Sequence, residues 1–373
     1  MRNLFEKKLK ELFALADVNI NGNRPWDIRV LNEKFYRRTL MQGSLGLGEA
    51  YMDGWWDADN IDQFICKVVT ADLYEKVKGL PMLLFNIKAQ LMNLQKKSKA
   101  YKIGRKHYDI GNDLFTLMLD KRMNYSCGYW KGAKNLDQAQ TAKLDLICKK
   151  IGLEPGMSVL DIGCGWGGFA KYAAEKYNVN VVGITISKEQ AELAAEMCKD
   201  LPVVIKLQDY RRLEEKFDRI VSVGMIEHVG YKNYGMYMKI VHDCLREDGL
   251  FLLQTIGVNQ SLVFGDAWMD KYIFPDAMLP SPVYIARAVE GLFVMEDWHN
   301  FGADYDHTLM AWYDNFEKNW EQIKKNKKYD EKFYQVWKYY LLSCAGGCRS
   351  RYLQLWQIVF SKKGLPGGYE SVR

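Results

Sequence analysis

A glycine-rich stretch at residues 159–168 (VLDIGCGWGG) carries the clearest chemical signal in the sequence. It follows a short apolar run that predicts a strand, and it opens a segment with helical periodicity. Glycines there let the backbone approach a ligand closely, and the start of a helix presents unpaired N–H groups. Gly163, Gly165 and Gly168 satisfy G-x-G-x-x-G, a pattern typical of nucleotide-binding turns. The stretch predicts a nucleotide-containing ligand, with a purely structural turn as the alternative.

The acidic residues nearby favour S-adenosylmethionine over a dinucleotide. Asp161 directly precedes the turn, where a carboxylate would repel a pyrophosphate but can hold the ammonium group of S-adenosylmethionine. A dinucleotide site expects an acid about 20 residues further on, at the tip of the second strand. Residues 183–187 (GITIS) occupy that tip and contain no carboxylate. Asp209 follows the third predicted strand and is placed to bind the adenine amino group, with a helix N-cap as its structural alternative.

Alternating apolar runs and helical segments must position these residues. The predicted strands are 158–162, 179–184, 203–208, 219–224 and 250–256, with possible edge strands at 292–298 and 353–361. The predicted helices include 188–199 and two long aromatic helices at 309–326 and 331–344. Strand–helix alternation at this spacing predicts an α/β fold with a parallel sheet covered by helices on both faces. Earlier in the chain, residues 1–17 predict an amphipathic helix, and residues 41–56 predict a helical lobe with loops.

The net charge of +6 is concentrated at the start of the 373-residue chain. Residues 1–105 contain 18 Lys+Arg against 12 Asp+Glu, and residues 88–106 contain seven basic residues and no acid. Nucleic acid and anionic lipid are the two anionic partners that such a stretch can bind, and a solvated helix face is the alternative.

Cysteine usage and hydropathy indicate the compartment. The eight cysteines are irregularly spaced and form no C-x-x-C, which favours free thiols in a reduced compartment and no structural zinc. No apolar run approaches the roughly 20 residues that span a bilayer, and the first residues lack the features of a signal peptide. The sequence therefore predicts a cytoplasmic protein with no metal.

Six motifs, in the expected order, resemble the cyclopropane fatty acid synthase family. They are 108–115 (YDIGNDLF), 125–130 (YSCGYW), 161–168 (DIGCGWGG), 223–230 (VGMIEHVG), 297–305 (DWHNFGADY) and 354–357 (QLWQ). The resemblance extends from about residue 20 to 362. It implies a Rossmann-like class I S-adenosylmethionine methyltransferase sheet with a smaller helical N-terminal domain that contacts membrane lipid. The domains expected from it are a lipid-contacting domain at 1–85, a basic linker at 86–105 and a catalytic domain at 106–373.

The resemblance implies transfer of a methylene from S-adenosylmethionine to the cis double bond of unsaturated phospholipid acyl chains. The reaction passes through a carbocation, which a bound bicarbonate ion deprotonates. The positions that match the family's anion site are Cys127, Glu227, Gln254, Ile256 and Tyr305. Cys127 and Ile256 would contribute backbone groups. Gln254 stands where the family usually has histidine, so it can donate an N–H but cannot titrate near neutral pH.

The resemblance also implies a set of cofactor contacts around the glycine turn. The matching residues, together with Asp161, are Tyr108, Tyr125, Ser126, Gly163, Gly165, Thr185, Gln190, Asp209 and Tyr210. Gln190 would take the place of the usual ribose-binding acid. Cys344 matches a family cysteine near the active site and is interpreted as a lining residue, because the chemistry requires no thiol nucleophile.

The implied partners are an anionic membrane surface at the inner face of the membrane, where the protein binds peripherally, and a second copy in a homodimer. In this interpretation the basic stretch, including Lys96, Lys97, Lys99 and Lys102, contacts lipid and not nucleic acid. Three alternatives stay open from sequence. A related lipid methyltransferase would leave a methyl-branched or exomethylene chain, and a homologue without activity would only bind lipid. A nicotinamide oxidoreductase is disfavoured by the second strand tip.

Overall fold

The computed structural model describes residues 2–73, 111–263 and 265–373. The expected linker at 86–105, the four lysines of the basic stretch named above and Tyr108 lie outside the described residues. The chain divides into two compact units. A helical unit comprises Met1–Met92, Phe264–Pro275 and Tyr305–Leu353, and a sheet unit comprises Asn93–Val263, Asp276–Asp304 and Gln354–Arg373.

The described helices and strands are numbered here in chain order. The helices are α1 (Arg2–Leu15), α2 (Lys34–Met52), α3 (Ile61–Thr70), α4 (Asn112–Met118), α5 (Leu136–Lys150), α6 (Gly168–Tyr177), α7 (Lys188–Met197), α8 (Tyr234–Cys244), α9 (Ala267–Tyr272), α10 (Pro282–Val289), α11 (Ala303–Ile323) and α12 (Glu331–Arg349). The strands are β1 (Arg29–Val30), β2 (Trp56–Asp57), β3 (Ser158–Ile162), β4 (Asn180–Thr185), β5 (Val203–Leu207), β6 (Phe217–Val223), β7 (Leu245–Val258), β8 (Val294–Asn300) and β9 (Leu353–Ser361).

The sheet unit is built on a seven-stranded sheet with the order β5-β4-β3-β6-β7-β9-β8. Strands β3 to β7 are joined by parallel pairings, and β8 pairs antiparallel with β9 at one edge. The seven predicted strands are confirmed. Their observed ends differ from the predicted ends by at most two residues, except at the start of β7. Because the central strands are parallel, the carboxyl ends of β3, β4, β5 and β6 meet at one edge of the sheet.

Both faces of this sheet are buried. Leu160 and Ile162 of β3 pack in one apolar cluster with residues of α8 and α10. Val159, on the opposite face of β3, packs in a second cluster with residues of α5 and α6. The alternation follows from the two-residue period of a strand, and burial of both faces explains the continuous apolar runs in the sequence. Burial of both faces holds the strand ends, and the turns that follow them, in fixed positions.

The helical unit is held by aromatic packing and by a partly buried ion network around Arg349. Trp56 is 1% exposed and lies 5.1 Å from Phe64 and 6.4 Å from Tyr339, measured between ring centroids. Arg349 of α12 forms ion pairs with Asp62 of α3 and, at 2.8 Å, with Asp306 of α11. The two long aromatic helices predicted from sequence are confirmed as α11 and α12. Tyr339 of α12 packs against Tyr51 and Trp56, and the aromatic side chains of α11 pack against Tyr334 of α12. Both helices therefore group with residues 1–92 and not with the sheet. The boundaries at 85 and 106 stay a prediction.

No helix in the described parts of the chain is long and apolar enough to cross a membrane.

A buried ion pair in the sheet unit yields a stability prediction. The Lys150 ammonium lies 3.5 Å from a carboxylate oxygen of Asp297, and both side chains are almost fully buried. Asp297→Asn leaves the Lys150 charge buried without its carboxylate, which should lower the free energy of unfolding by about 3–5 kcal/mol. Urea denaturation measures this change. Asp243→Asn, which breaks the exposed pair with Lys239, is the control and should change stability by less than about 1 kcal/mol. Equal effects of the two substitutions would contradict the prediction.

Candidate cofactor and catalytic site

A cavity of about 180 Å³ lies in the sheet unit, at the carboxyl ends of β3, β4 and β6 and beside the turn that follows β5. It brings together all the described residues predicted to contact the cofactor. They are Tyr125, Ser126, Asp161, Gly163, Gly165, Thr185, Gln190, Asp209 and Tyr210. The chain segments that carry them are up to 85 residues apart, and the parallel register of the strands makes them neighbours. Their individual contacts with the cofactor stay a prediction.

The glycine turn forms one wall of the cavity. Gly163 and Gly165 have φ values of 83° and 54°, in the left-handed region that favours glycine. The amides of Gly163 and Cys164 both donate to the carbonyl of Ile184 at 2.9 Å, which ties the turn to β4. A Cβ atom on Gly165 would meet nothing within 4 Å, so the backbone at this position borders open space. The turn therefore leaves room for a ligand to approach the main chain.

The Asp161 carboxylate lines this cavity, and no basic side chain of the described residues forms an ion pair with it. It is 2% exposed, and its Oδ2 is buried and has no hydrogen-bond partner among the described residues. Burial raises the pKa of Asp161 to about 7, and the charge of Lys143 opposes the rise. An ammonium group would satisfy this carboxylate, which fits the amino-acid end of S-adenosylmethionine. The cavity thus has the open backbone and the acidic group that the cofactor requires.

Thr185 and Gln190 are linked at the tip of β4. The Thr185 hydroxyl donates to Oε1 of Gln190 at 3.0 Å, and Ser187 caps the start of α7 by accepting from the Gln190 amide. These contacts fix Gln190 at the cavity wall, and its contact with the ribose stays a prediction.

Asp209 fills the capping role that the sequence left open, and it also lines the cavity. Its carboxylate accepts from the Arg211 amide at 3.0 Å and pairs with the Arg211 guanidinium at 3.3 Å. Capping a short 3-10 turn therefore fixes this carboxylate at the cavity wall, where an adenine contact is predicted.

Glu227 lies in the 3-10 turn Ile226–His228 that follows β6. Its Oε1 accepts from the Ile256 amide at 2.8 Å, whereas its Oε2 is buried without a hydrogen-bond partner among the described residues. Burial raises the pKa of Glu227 to about 7, and backbone hydrogen bonds, including that of Ile256, and the Thr255 side chain oppose the rise. A carboxyl group that titrates near neutral pH is suited to exchange or share a proton.

Two further predicted anion-site residues of the sheet unit, Gln254 and Cys127, are also buried. Gln254 is 1% exposed, and its Oε1 accepts from Nε2 of Gln357 at 2.9 Å. Because Gln357 engages the oxygen of this amide, the NH₂ group of Gln254 is the part that can donate to a ligand. Cys127 is fully buried, with its Sγ 3.1 Å from the Gly128 carbonyl. The structure joins Glu227 to Ile256 directly and Gln254 to Gln357.

Tyr305 and Cys344 belong to the helical unit. Tyr305 lies near the start of α11, is 8% exposed and packs its ring 6.0 Å from that of Trp312. In α12, burial and the charge of Asp266 raise the pKa of the Cys344 thiol to about 12. The thiol therefore stays protonated at neutral pH, which argues against a nucleophilic role.

Several cavity residues were not predicted as site residues from the sequence, among them Asn124, Lys143 and His228. Asn124 and Lys143 line the cavity, and Lys143 is 1% exposed although it is charged. Lys143 lies four residues from both Ala139 and Ile147, so the helical period places it on the same apolar face as these buried residues. This spacing could have indicated a buried lysine. His228 also lines the cavity, and burial lowers its pKa to about 4. Its imidazole is therefore neutral at physiological pH.

The strand order, the glycine turn and the buried acid at the end of β3 define a class I S-adenosylmethionine-dependent methyltransferase. Residues 95–358 match the profile of the mycolic acid cyclopropane synthetase family, and the chain belongs to that family.

Known relatives share this fold and most of the chain. A cyclopropane-fatty-acyl-phospholipid synthase from Escherichia coli strain K12 is 54% identical over 364 residues, which covers 97% of this chain and 94% of the relative. The solved cyclopropane synthase MmaA2 from Mycobacterium tuberculosis is 30% identical, with a TM-score of 0.65, and covers 73% of this chain and 100% of its own. A mycolic acid cyclopropane synthase solved with SAH and CTAB is 32% identical, with a TM-score of 0.64, and covers 70% of this chain and 98% of its own.

The burial of Glu227 predicts a pH-dependent gain in stability when its charge is removed. Between its ordinary pKa of 4.5 and its folded value of about 7, the unfolded chain releases a proton that the folded protein keeps. The wild type therefore loses stability as pH rises through this range, by up to about 3 kcal/mol at pH values above 7. Glu227→Gln lacks this loss and should be more stable than the wild type at pH 8, with little difference at pH 4.

Chemical denaturation at the two pH values measures the effect. Glu192→Gln, at an exposed position of α7, is the control and should follow the wild type at both. A Glu227→Gln variant that is less stable than the wild type at pH 8 would show that the carboxylate is stabilised in the folded protein.

Proposed function

We propose that this enzyme transfers a methylene group from S-adenosylmethionine to the cis double bond of an unsaturated phospholipid acyl chain and so forms a cyclopropane ring. The observation that carries the proposal is the 54% identity, over 97% of the chain, to a relative named for fatty acyl phospholipids. The two mycobacterial synthases cover only 73% and 70% of the chain. Likeness over nearly the whole length, including the N-terminal helices, favours phospholipid over mycolic acid as the substrate.

The chemistry defines what the protein must supply. The bound cofactor supplies an electrophilic sulfonium methyl group, which the electron pair of the alkene attacks. The attack leaves a carbocation on the acyl chain, and ring closure then requires loss of a proton from the transferred methyl group. The site must therefore hold a base close to that methyl group and exclude water, which would otherwise quench the cation.

Bicarbonate is the proposed base, and Glu227 is its principal proposed ligand. The Oε2 of Glu227 is buried without a hydrogen-bond partner among the described residues, so it can accept the O–H of a bicarbonate ion. The NH₂ group of Gln254 can donate to the same anion, because Gln357 engages only the oxygen of that amide. The family resemblance implies further anion ligands: the backbone of Cys127 and Ile256, and the side chain of Tyr305. In this arrangement a bound anion competes with Glu227 for the Ile256 amide.

The proposed partners follow from the substrate. Phospholipid acyl chains are reached from a membrane surface, so the proposal includes peripheral binding to anionic lipid at the inner face of the membrane. The proposed homodimer is implied by the family resemblance. The +6 charge excess of residues 1–105 supports attraction to such a surface.

Product analysis tests the proposed reaction. The purified protein, incubated with S-adenosylmethionine and vesicles of an unsaturated phospholipid, should yield acyl chains heavier by one CH₂ that have lost the double bond. Gas chromatography with mass spectrometry gives the mass, and NMR resolves the ring. A product that keeps an alkene or an exomethylene group would contradict ring formation and assign the enzyme to plain lipid methylation.

Removal of bicarbonate tests the proposed base. In buffer freed of carbon dioxide the wild-type rate should fall, and added bicarbonate should restore it. Glu227→Gln should lower the rate by about 10²- to 10⁴-fold, the usual contribution of a positioned acid or base, and bicarbonate should not rescue it. Gln254→His, which restores the family residue, should remain active and responsive to bicarbonate. Glu192→Gln is the control and should behave as the wild type. A wild-type rate that is independent of bicarbonate would overturn this part of the proposal.

A further inference from the structure

Lys143 is a buried cation in the wall of the cofactor cavity. It projects from α5, and its side chain has almost no exposed surface (1% for the whole residue). Its Nζ donates to Oδ1 of Asn124 at 3.1 Å and to the hydroxyl of Ser126 at 3.2 Å. Both acceptors are neutral, and both also line the cavity.

The hydrogen bonds of Lys143 do not satisfy its charge. An ammonium group has three N–H donors, and two of them are engaged. In the described parts of the chain, no carboxylate lies within ion-pair distance of its Nζ. A buried charge without a counter-ion is unfavourable, and burial accordingly lowers the pKa of Lys143 to about 8, although Asp120 and Asp161 oppose this. The environment therefore favours the arrival of a negatively charged group.

Asp161 is a buried carboxylate in the wall of the same cavity. Its carboxylate is buried with an unsatisfied oxygen and influences Lys143 electrostatically without pairing with it. Arg211, another cationic side chain of the cavity wall, is already paired with Asp209 at 3.3 Å and lies over the ring of Tyr210. Lys143 and Asp161 are thus a cation and an anion that face one cavity, each with hydrogen-bonding capacity left over.

We propose that Lys143 binds the carboxylate of the cofactor's methionine moiety while Asp161 takes its ammonium group, so that the two form a subsite for an α-amino-acid zwitterion. Ser126, held by Lys143, presents its hydroxyl beside the same carboxylate. The subsite selects S-adenosyl compounds that carry both charges over those that lack the carboxylate. The inference rests on S-adenosylmethionine as the cofactor and not on the lipid product.

The alternative is a structural role for Lys143 in the loop before α5. Asp120 accepts from the backbone amide of Asn124 at 2.8 Å and from its side chain at 2.9 Å, and Asn124 in turn accepts from Lys143. A lysine that only supports this loop would affect all ligands of the cavity equally. A lysine that binds the carboxylate affects only ligands that have one.

Calorimetric titration of the full chain distinguishes the two roles, with three ligands: S-adenosylhomocysteine, its decarboxylated analogue and its deaminated analogue. The wild type should bind S-adenosylhomocysteine about 10- to 100-fold more tightly than the decarboxylated analogue, the range expected for a charge-assisted hydrogen bond. In Lys143→Met the affinities for S-adenosylhomocysteine and the decarboxylated analogue should become about equal. The preference for S-adenosylhomocysteine over the deaminated analogue should be kept.

Lys150→Met is the matched control, because Lys150 is an equally buried lysine of the same helix that does not line the cavity. Its partner Asp297 keeps an ion pair with Arg373 at 2.6 Å. This variant should retain the wild-type preference for the carboxylate. A Lys143→Met variant that weakens all three ligands by the same factor overturns the proposal. Equal affinity of the wild type for S-adenosylhomocysteine and the decarboxylated analogue also overturns it, and that comparison needs no variant to fold. Since no lipid is present, these results are independent of the product assay.

Discussion

Unpaired charge in a dry environment is the constraint on which the site depends. Asp161, Lys143 and Glu227 are all buried, and each has hydrogen-bonding capacity that the described protein does not use. Removing an ionisable group from water is unfavourable, and the pKa values of about 7, 8 and 7 are the response. In the proposed reaction, the same exclusion of water protects the carbocation on the acyl chain until it loses a proton. Ligands that carry opposite charges offset the unfavourable burial of these groups.

The sheet makes this arrangement possible. Five strands in parallel register carry turns from distant parts of the sequence to one edge, and helices on both faces keep the strands from shifting. Glycines at positive φ then open the main chain toward the cavity, where side chains would otherwise fill it. Stability is given up locally for function, because the folded protein must keep acidic groups out of water at the pH at which they ionise.

The glycine turn, the strands and Asp161 could be predicted because each leaves a local pattern: glycine spacing, apolar runs and an acid at a strand end. Lys143 was missed because its chemistry depends on what surrounds it in space, and the lysine itself resembles any other helical lysine. The start of β7 at Leu245 was missed because the exposed polar residues Arg246 and Asp248 resemble a turn. The grouping of α12 with the N-terminal helices follows from aromatic contacts between segments far apart in sequence, such as those of Tyr339 with Tyr51 and Trp56.

The most direct test of the account is the fate of the hydrogens on the transferred carbon. With S-adenosylmethionine that carries a trideuterated methyl group, ring closure removes one deuteron. The modified acyl chain should then contain two deuterons from the cofactor and no double bond, as read by mass spectrometry and NMR. A chain that retains all three deuterons would show that the carbon stays a methyl group, and it would contradict deprotonation by a base held at Glu227.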